Sequence, residues 1–221
     1  MTNGKRHAIL RTAAAVACTV TIAAAAAIGS EVEWPGSAAF HGTTYEELEL
    51  APDFALVDHD GRPVTLESYR GRPVLLFFGY THCPDVCPLT LTRLQRSVRA
   101  LGSRGEDIRI LLVTNDPRRD TPPVLREYVS RFGPQAVGLT GDSAAIARAM
   151  AGYGAYTAPP NASAAAPADP HAHGSHAARP AMLAHSSVVY GIDREGRLQV
   201  VFSEGAKQEW VDDDVRRLAR L

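Results

Sequence analysis

Apolar residues arrive in two long unbroken runs, 73–80 (PVLLFFGY) and 108–114 (IRILLVT). Runs of that kind mark strands covered on both faces, since a strand with one wet face alternates. Before them, residues 54–57 and 63–66 flank an Asp60-Gly61 turn and read as a hairpin. Leu91, Leu94, Val98 and Leu101 recur at helical spacing, and Gly102 follows as a stop. Asp120-Thr121-Pro122 opens a second helix over 124–132, closed by Gly133-Pro134. A short strand at 135–139 and a helix capped by Asp142 and reaching Ala151 come next. Strands at 186–192 and 198–202 enclose a turn at 193–196, and Val211, Val215 and Leu218 mark a final helix. This alternation predicts an α/β domain with a parallel centre, an antiparallel edge and no internal repeat.

Three stretches stand outside that pattern. Residues 158–180 (APPNASAAAPADPHAHGSHAARP) hold alanine, proline and small polar residues without apolar periodicity, so they cannot repay the entropy of ordering. They are expected to form a mobile loop, longer than such connections usually are. Residues 1–29 begin with Lys5, Arg6 and Arg11 and continue uncharged from Thr12 to Ile28. Such a segment targets a membrane, as a short spanning anchor or as a signal peptide cleaved near residues 25–27. The anchor is the reading adopted, and the basic amino side then puts everything after Gly29 outside the cytoplasm. A lipidated Cys18 would want a leucine three residues upstream, and none is there. Residues 30–50, with Pro35, Gly36 and several acids, read as a spacer, and the domain is expected to occupy 51–221.

Charge narrows the choice of partners. Beyond the first segment, 20 bases face 24 acids without a basic cluster, which excludes a nucleic-acid binder.

The candidate chemistry lies in FFGYTHCPDVCPLTL, residues 77–91. A buried strand ends at Tyr80 and a helix begins a few residues on, so Cys83 and Cys87 fall in the turn and the first helical turn. Pro84 and Pro88 suit that place, where backbone N–H groups lack internal acceptors. If the turn is helical, spacing of i, i+4 puts both sulfurs on one face, and the positive helix end favours their thiolates. Two such thiolates can close a disulfide or hold a soft ion, Cu(I) first among them. A purely structural bridge over so short a loop would remove little unfolded-state entropy. Structural zinc wants four ligands, and the nearest further candidate is His82. His185 opens a late strand, and nothing in its spacing ties it to the cysteines.

Together, FFGYTHCPDVCPLTL, VTNDPRRDTP (113–122) and AHSSVVYGIDREGRL (184–198) resemble the Sco/SenC family of thioredoxin-fold copper chaperones for cytochrome c oxidase assembly. The resemblance runs from about Pro52 to the carboxyl end. It implies a thioredoxin-like fold with an amino-terminal hairpin, and copper ligands at Cys83, Cys87 and His185, the imidazole suiting Cu(II) as well. It also implies a supporting carboxylate at Asp116, although Asn115-Asp116-Pro117 after a strand is ordinary turn chemistry too. Two departures stand out. Ala184 occupies a place where aspartate is common, and the preceding connector carries His171, His173 and His176, a possible accessory site for metal.

The expected function is copper delivery to the copper-bearing subunit of the oxidase, with other copper chaperones or thiol reductases as further partners. The rival is a thiol-disulfide oxidoreductase in which Cys83 attacks and Cys87 resolves. A distant histidine separates the two, since dithiol exchange does not need one. A peroxidase is a weaker third, because the P-x-x-x-T-x-x-C pattern is missing.

Overall fold

A computed structural model describes residues 39–221 apart from Glu46, Tyr156, 159–183, Ser186, Ser187 and Glu204, and only the backbone of Thr157, Ala158, Ala184 and His185. The expected anchor at 1–29 and the histidines of the 158–180 loop lie outside the described residues. Among those described, no helix is long and apolar enough to cross a membrane.

The strands are β1 (Ala55–Asp58), β2 (Pro63–Thr65), β3 (Val74–Gly79), β4 (Arg109–Thr114), β5 (Ala136–Thr140), β6 (Thr157–Ala158), β7 (Ala184–His185), β8 (Val188–Ile192) and β9 (Leu198–Ser203). The helices are α1 (Val86–Ala100), α2 (Pro122–Ser130), α3 (Ser143–Gly152) and α4 (Gln208–Leu218). Seven strands form one mixed sheet in the order β2-β1-β5-β4-β3-β8-β9, and β6 and β7 form a separate ribbon. The pairs β3–β4 and β4–β5 are parallel, whereas β1 with β5, β3 with β8 and β8 with β9 are antiparallel. The expected parallel centre with an antiparallel edge is therefore what the chain builds.

The two apolar runs become β3 and β4, adjacent at the middle of the sheet, and every residue of β3 is buried. Alternation sends Leu75 and Phe77 into one core with Leu91, Leu94 and Val98 of α1 and Val211, Val215 and Leu218 of α4. It sends Val74, Leu76 and Phe78 into a second core with Phe54, Leu56 and Leu66 and with Ile146 and Met150 of α3. Each such side chain contributes roughly 1.5–3 kcal/mol when fully buried, so a strand with polar alternation could not hold this place. The hairpin turns where Asp60-Gly61 was expected, with Gly61 at φ +82°, a conformation that a Cβ atom disfavours and glycine adopts freely. Asp58 accepts from the amides of Asp60 and Arg62 to close the turn. Asp142 caps α3 through the amide of Ala145 at 2.6 Å.

Two features were not legible beforehand. Ala158, taken as the start of the loop, pairs with Ala184 in the ribbon, while Thr157 pairs with His185. Within the latter half of the expected spacer, Thr43 is bridged to Val201 of the outer strand and Leu50 to Arg197 just before it. The fully buried Asp214 of α4 anchors this segment by accepting from the amides of His41 at 2.8 Å and Gly42 at 3.0 Å. Removing it leaves two amide donors without their acceptor. Asp214→Ala should cost about 1–3 kcal/mol in denaturant unfolding and accelerate amide exchange at His41 and Gly42. Unchanged exchange there would show that the segment is held by other contacts.

Candidate metal centre

The site lies where β3 hands the chain to α1. Gly79 ends β3 opposite Thr114 of β4, and the loop 80–85 turns at once into the helix. Cys83 donates its amide to the carbonyl of Tyr80 at 3.2 Å, closing the turn. Asp85 stands at the helix N-cap but its side chain makes no capping bond. The sulfur of Cys83 takes that role, accepting the amide of Cys87 at 3.4 Å. A thiolate at this position gains both an N–H donor and the positive end of the helix.

Cys83 and Cys87 are 5% and 0% exposed and neither is in a disulfide. Gly79 makes the room: a Cβ at that residue would stand 2.6 Å from the sulfur of Cys87, well inside contact distance. The thiol of Cys87 is pushed far above its ordinary 9.0, first by the hydrogen bond it shares with Cys83 and then by burial. A backbone hydrogen bond from Tyr80 pulls the other way, and the charges of Cys83 and Asp120 add to the rise. The pair therefore keeps a proton between its sulfurs unless another cation takes the proton's place.

Asp120, which the sequence presented only as a helix opener, is the residue that fixes the loop. Completely buried, it accepts from the Thr81 amide at 3.0 Å, the Thr81 hydroxyl at 2.6 Å and the Thr114 hydroxyl at 2.6 Å. His82 leans on the same group, with Nδ1 3.0 Å from the Thr81 hydroxyl and 3.9 Å from Asp120 Oδ1. The carboxylate of Asp116, expected to support the metal, pairs with Arg119, and its carbonyl accepts the amides of Arg119 and Asp120. That is turn chemistry. Tyr128 of α2 shares the buried cluster of the two cysteines, and its hydroxyl has no partner among the described residues. Burial first, then the charges of Cys87, Cys83 and Asp120, raise its phenol and keep it protonated.

His185 reaches the same end of the sheet through its backbone. β8 runs antiparallel to β3 with Val189 opposite Phe77, so the chain enters β8 at the end where β3 leaves. His185 sits three residues before that entry, held in the ribbon opposite Thr157. His171, His173 and His176 lie outside the described residues. Among the described side chains, no three of His, Cys, Asp and Glu converge as a ready-made metal cluster.

The shared proton has a consequence for stability. Folding raises the thiol of Cys87, so the stabilisation it contributes is complete below about pH 9, its unfolded value, and is lost as pH rises beyond. In denaturant unfolding of the reduced, metal-free protein between pH 8 and 10, the parent should lose more stability than Cys87→Ser. The excess is bounded at about 1.4 kcal/mol per pH unit. Parallel losses in the two proteins would show that the pair does not hold its proton as described.

Comparison with known proteins agrees with this geometry. The SCO1/SenC family model matches residues 42–220. Protein SenC of Rhodobacter capsulatus is 32% identical over 215 residues, covering 97% of this chain and 91% of its own. The mitochondrial SCO2 homolog of Bos taurus is 35% identical over 167 residues, 75% of this chain and 58% of its own length. The solved structure of Bradyrhizobium japonicum ScoI with copper bound superposes with a TM-score of 0.61 at 33% identity, covering 77% of this chain and 99% of that one. Yeast Sco1 with copper bound gives 0.61 at 28% identity, covering 76% and 87%. With the match spanning nearly the whole described domain and the cysteine loop inside it, the chain belongs to the SCO1/SenC family.

Proposed function

We propose that this protein binds copper through Cys83, Cys87 and His185 and passes it to the copper-bearing subunit of cytochrome c oxidase during assembly. One observation carries the reading: two buried cysteines, their sulfurs sharing a hydrogen bond at a helix N-terminus, form a paired set of sulfur ligands for a soft cation. Cu(I) is the first-row ion that such sulfur ligands select. Relatives solved with copper bound support the choice of metal. Loading is then an exchange in which each thiol that becomes a ligand releases its proton to solvent. Asp120 holds the loop so that the sulfurs keep their spacing with and without cargo. Asp116 stays in the turn beside Arg119, and the histidines at 171, 173 and 176 serve as accessory ligands only. The expected tether through residues 1–29 would keep the domain beside its membrane-bound client, outside the cytoplasm.

The contact between the two sulfurs also favours a second reading, thiol-disulfide exchange on the client's cysteines. An attacking cysteine, however, needs exposure and a lowered pKa. Cys83 and Cys87 are buried, and Cys87 is shifted upward.

Cys83→Ser and Cys87→Ser should each lose Cu(I) binding at the main site, measured by competition with a Cu(I) chelator under reducing conditions, because a single thiolate has no chelate partner. Either variant holding one equivalent as tightly as the parent would falsify the paired site. His185→Ala should weaken Cu(II) more than Cu(I) and change the visible spectrum of the Cu(II) form, while dithiol exchange persists. Equal loss of both ions, or an unchanged spectrum, removes His185 from the ligand set and leaves the redox reading ahead.

A further inference from the structure

The two cysteines are too deeply placed to meet an incoming ion unaided, and a more exposed group stands one residue before them. The His82 side chain is 56% exposed, whereas Cys83, the next residue in the chain, is 5% exposed. We propose that His82 is an entry ligand, taking Cu(I) through Nε2 from a carrier and handing it inward to Cys83 and Cys87. The proposal rests on the copper-binding reading above.

The hydrogen-bond chain behind His82 carries the argument. The Asp120 carboxylate can only accept, and its Oδ1 takes the Thr81 hydroxyl proton at 2.6 Å. A hydroxyl has one hydrogen, so toward His82, at 3.0 Å, Thr81 Oγ1 can act only as an acceptor. The His82 Nδ1 must therefore carry the proton. In the neutral ring the lone pair is then on Nε2, which has no hydrogen-bond partner among the described residues. A carboxylate acting through one intervening group to fix the tautomer of an imidazole is the arrangement that supports histidine ligands to metals. Asp120 cannot swing away, because its other oxygen is held by the Thr81 amide and the Thr114 hydroxyl. One buried carboxylate thus sets both the cysteine loop and the ring in front of it.

The transfer balances without electron flow. A bond from copper to the carrier breaks as the bond to Nε2 forms. That bond breaks in turn as the sulfurs bind, each thiol that binds giving its proton to solvent, and copper remains Cu(I) throughout. His82 is a passing ligand, and the resident set is unchanged.

Two measurements on the reduced full chain test this. Long-range proton–nitrogen NMR should show the neutral His82 ring as the Nδ1–H tautomer, and Thr81→Val should release that bias. Stopped-flow transfer from a Cu(I)–bicinchoninate complex should slow by roughly tenfold or more in His82→Ala. Copper finally bound should remain at one per chain, and added imidazole should restore part of the rate. An Nε2–H tautomer, or unchanged loading in His82→Ala, overturns the proposal. Loss of equilibrium affinity in His82→Ala comparable with the cysteine variants overturns it too, by making His82 a resident ligand. Failure of the parent itself to take up Cu(I) strikes instead at the copper-binding reading, with the tautomer result still telling whether the chain behind His82 is as described.

Discussion

A carboxylate with no exposed surface has to be surrounded by donors, and around Asp120 those donors come from two neighbouring strand ends. Thr81 follows β3 and Thr114 closes β4, so satisfying Asp120 forces the segment after β3 to lie beside the end of β4. Leaving a buried charge unpaired costs far more than any one of these hydrogen bonds contributes, and the loop is correspondingly stiff.

The sulfurs themselves settle the electrostatics. Cys83 stands in for the missing cap of α1, and Cys87 rests in the space left by Gly79. Both positions are dry. In that setting a second negative charge is unfavourable without a compensating cation. The same burial restricts access to the sulfurs, whereas the His82 side chain, one residue earlier in the chain, is exposed. Tyr128 adds a protonated hydroxyl to the same buried cluster, without a partner among the described residues.

Much of this was legible in the residues. The runs at 73–80 and 108–114 announced central strands, and FFGYTHCPDVCPLTL placed both cysteines at a strand-to-helix junction. Asp142 and Asp60-Gly61 behaved as their local chemistry required, since caps and turns are short-range interactions. Asp120 was visible only as a residue before Thr121-Pro122. Its real partners are 39 residues back in the chain, at Thr81, and next door at Thr114, and no periodicity encodes that meeting. Residues 40–50 were likewise read as a spacer, because a segment held by bridges to an edge strand and by amides on Asp214 has no pattern of its own.

What the sequence by itself determined was the set of elements and the place of the two thiols at a strand-to-helix junction, all consequences of contacts within a few residues. Only the tertiary structure decided how they are used. It brought Asp120 beneath Thr81, set the sulfur of Cys87 against Gly79, turned Asp116 toward Arg119, and ran the backbone of His185 to the end of the sheet where the cysteines are. Parallel pairing of β3 with β4 and antiparallel pairing of β3 with β8 create those meetings between residues far apart in the chain. Strand order is chosen by burying both faces of the central run, and that depends on every element at once.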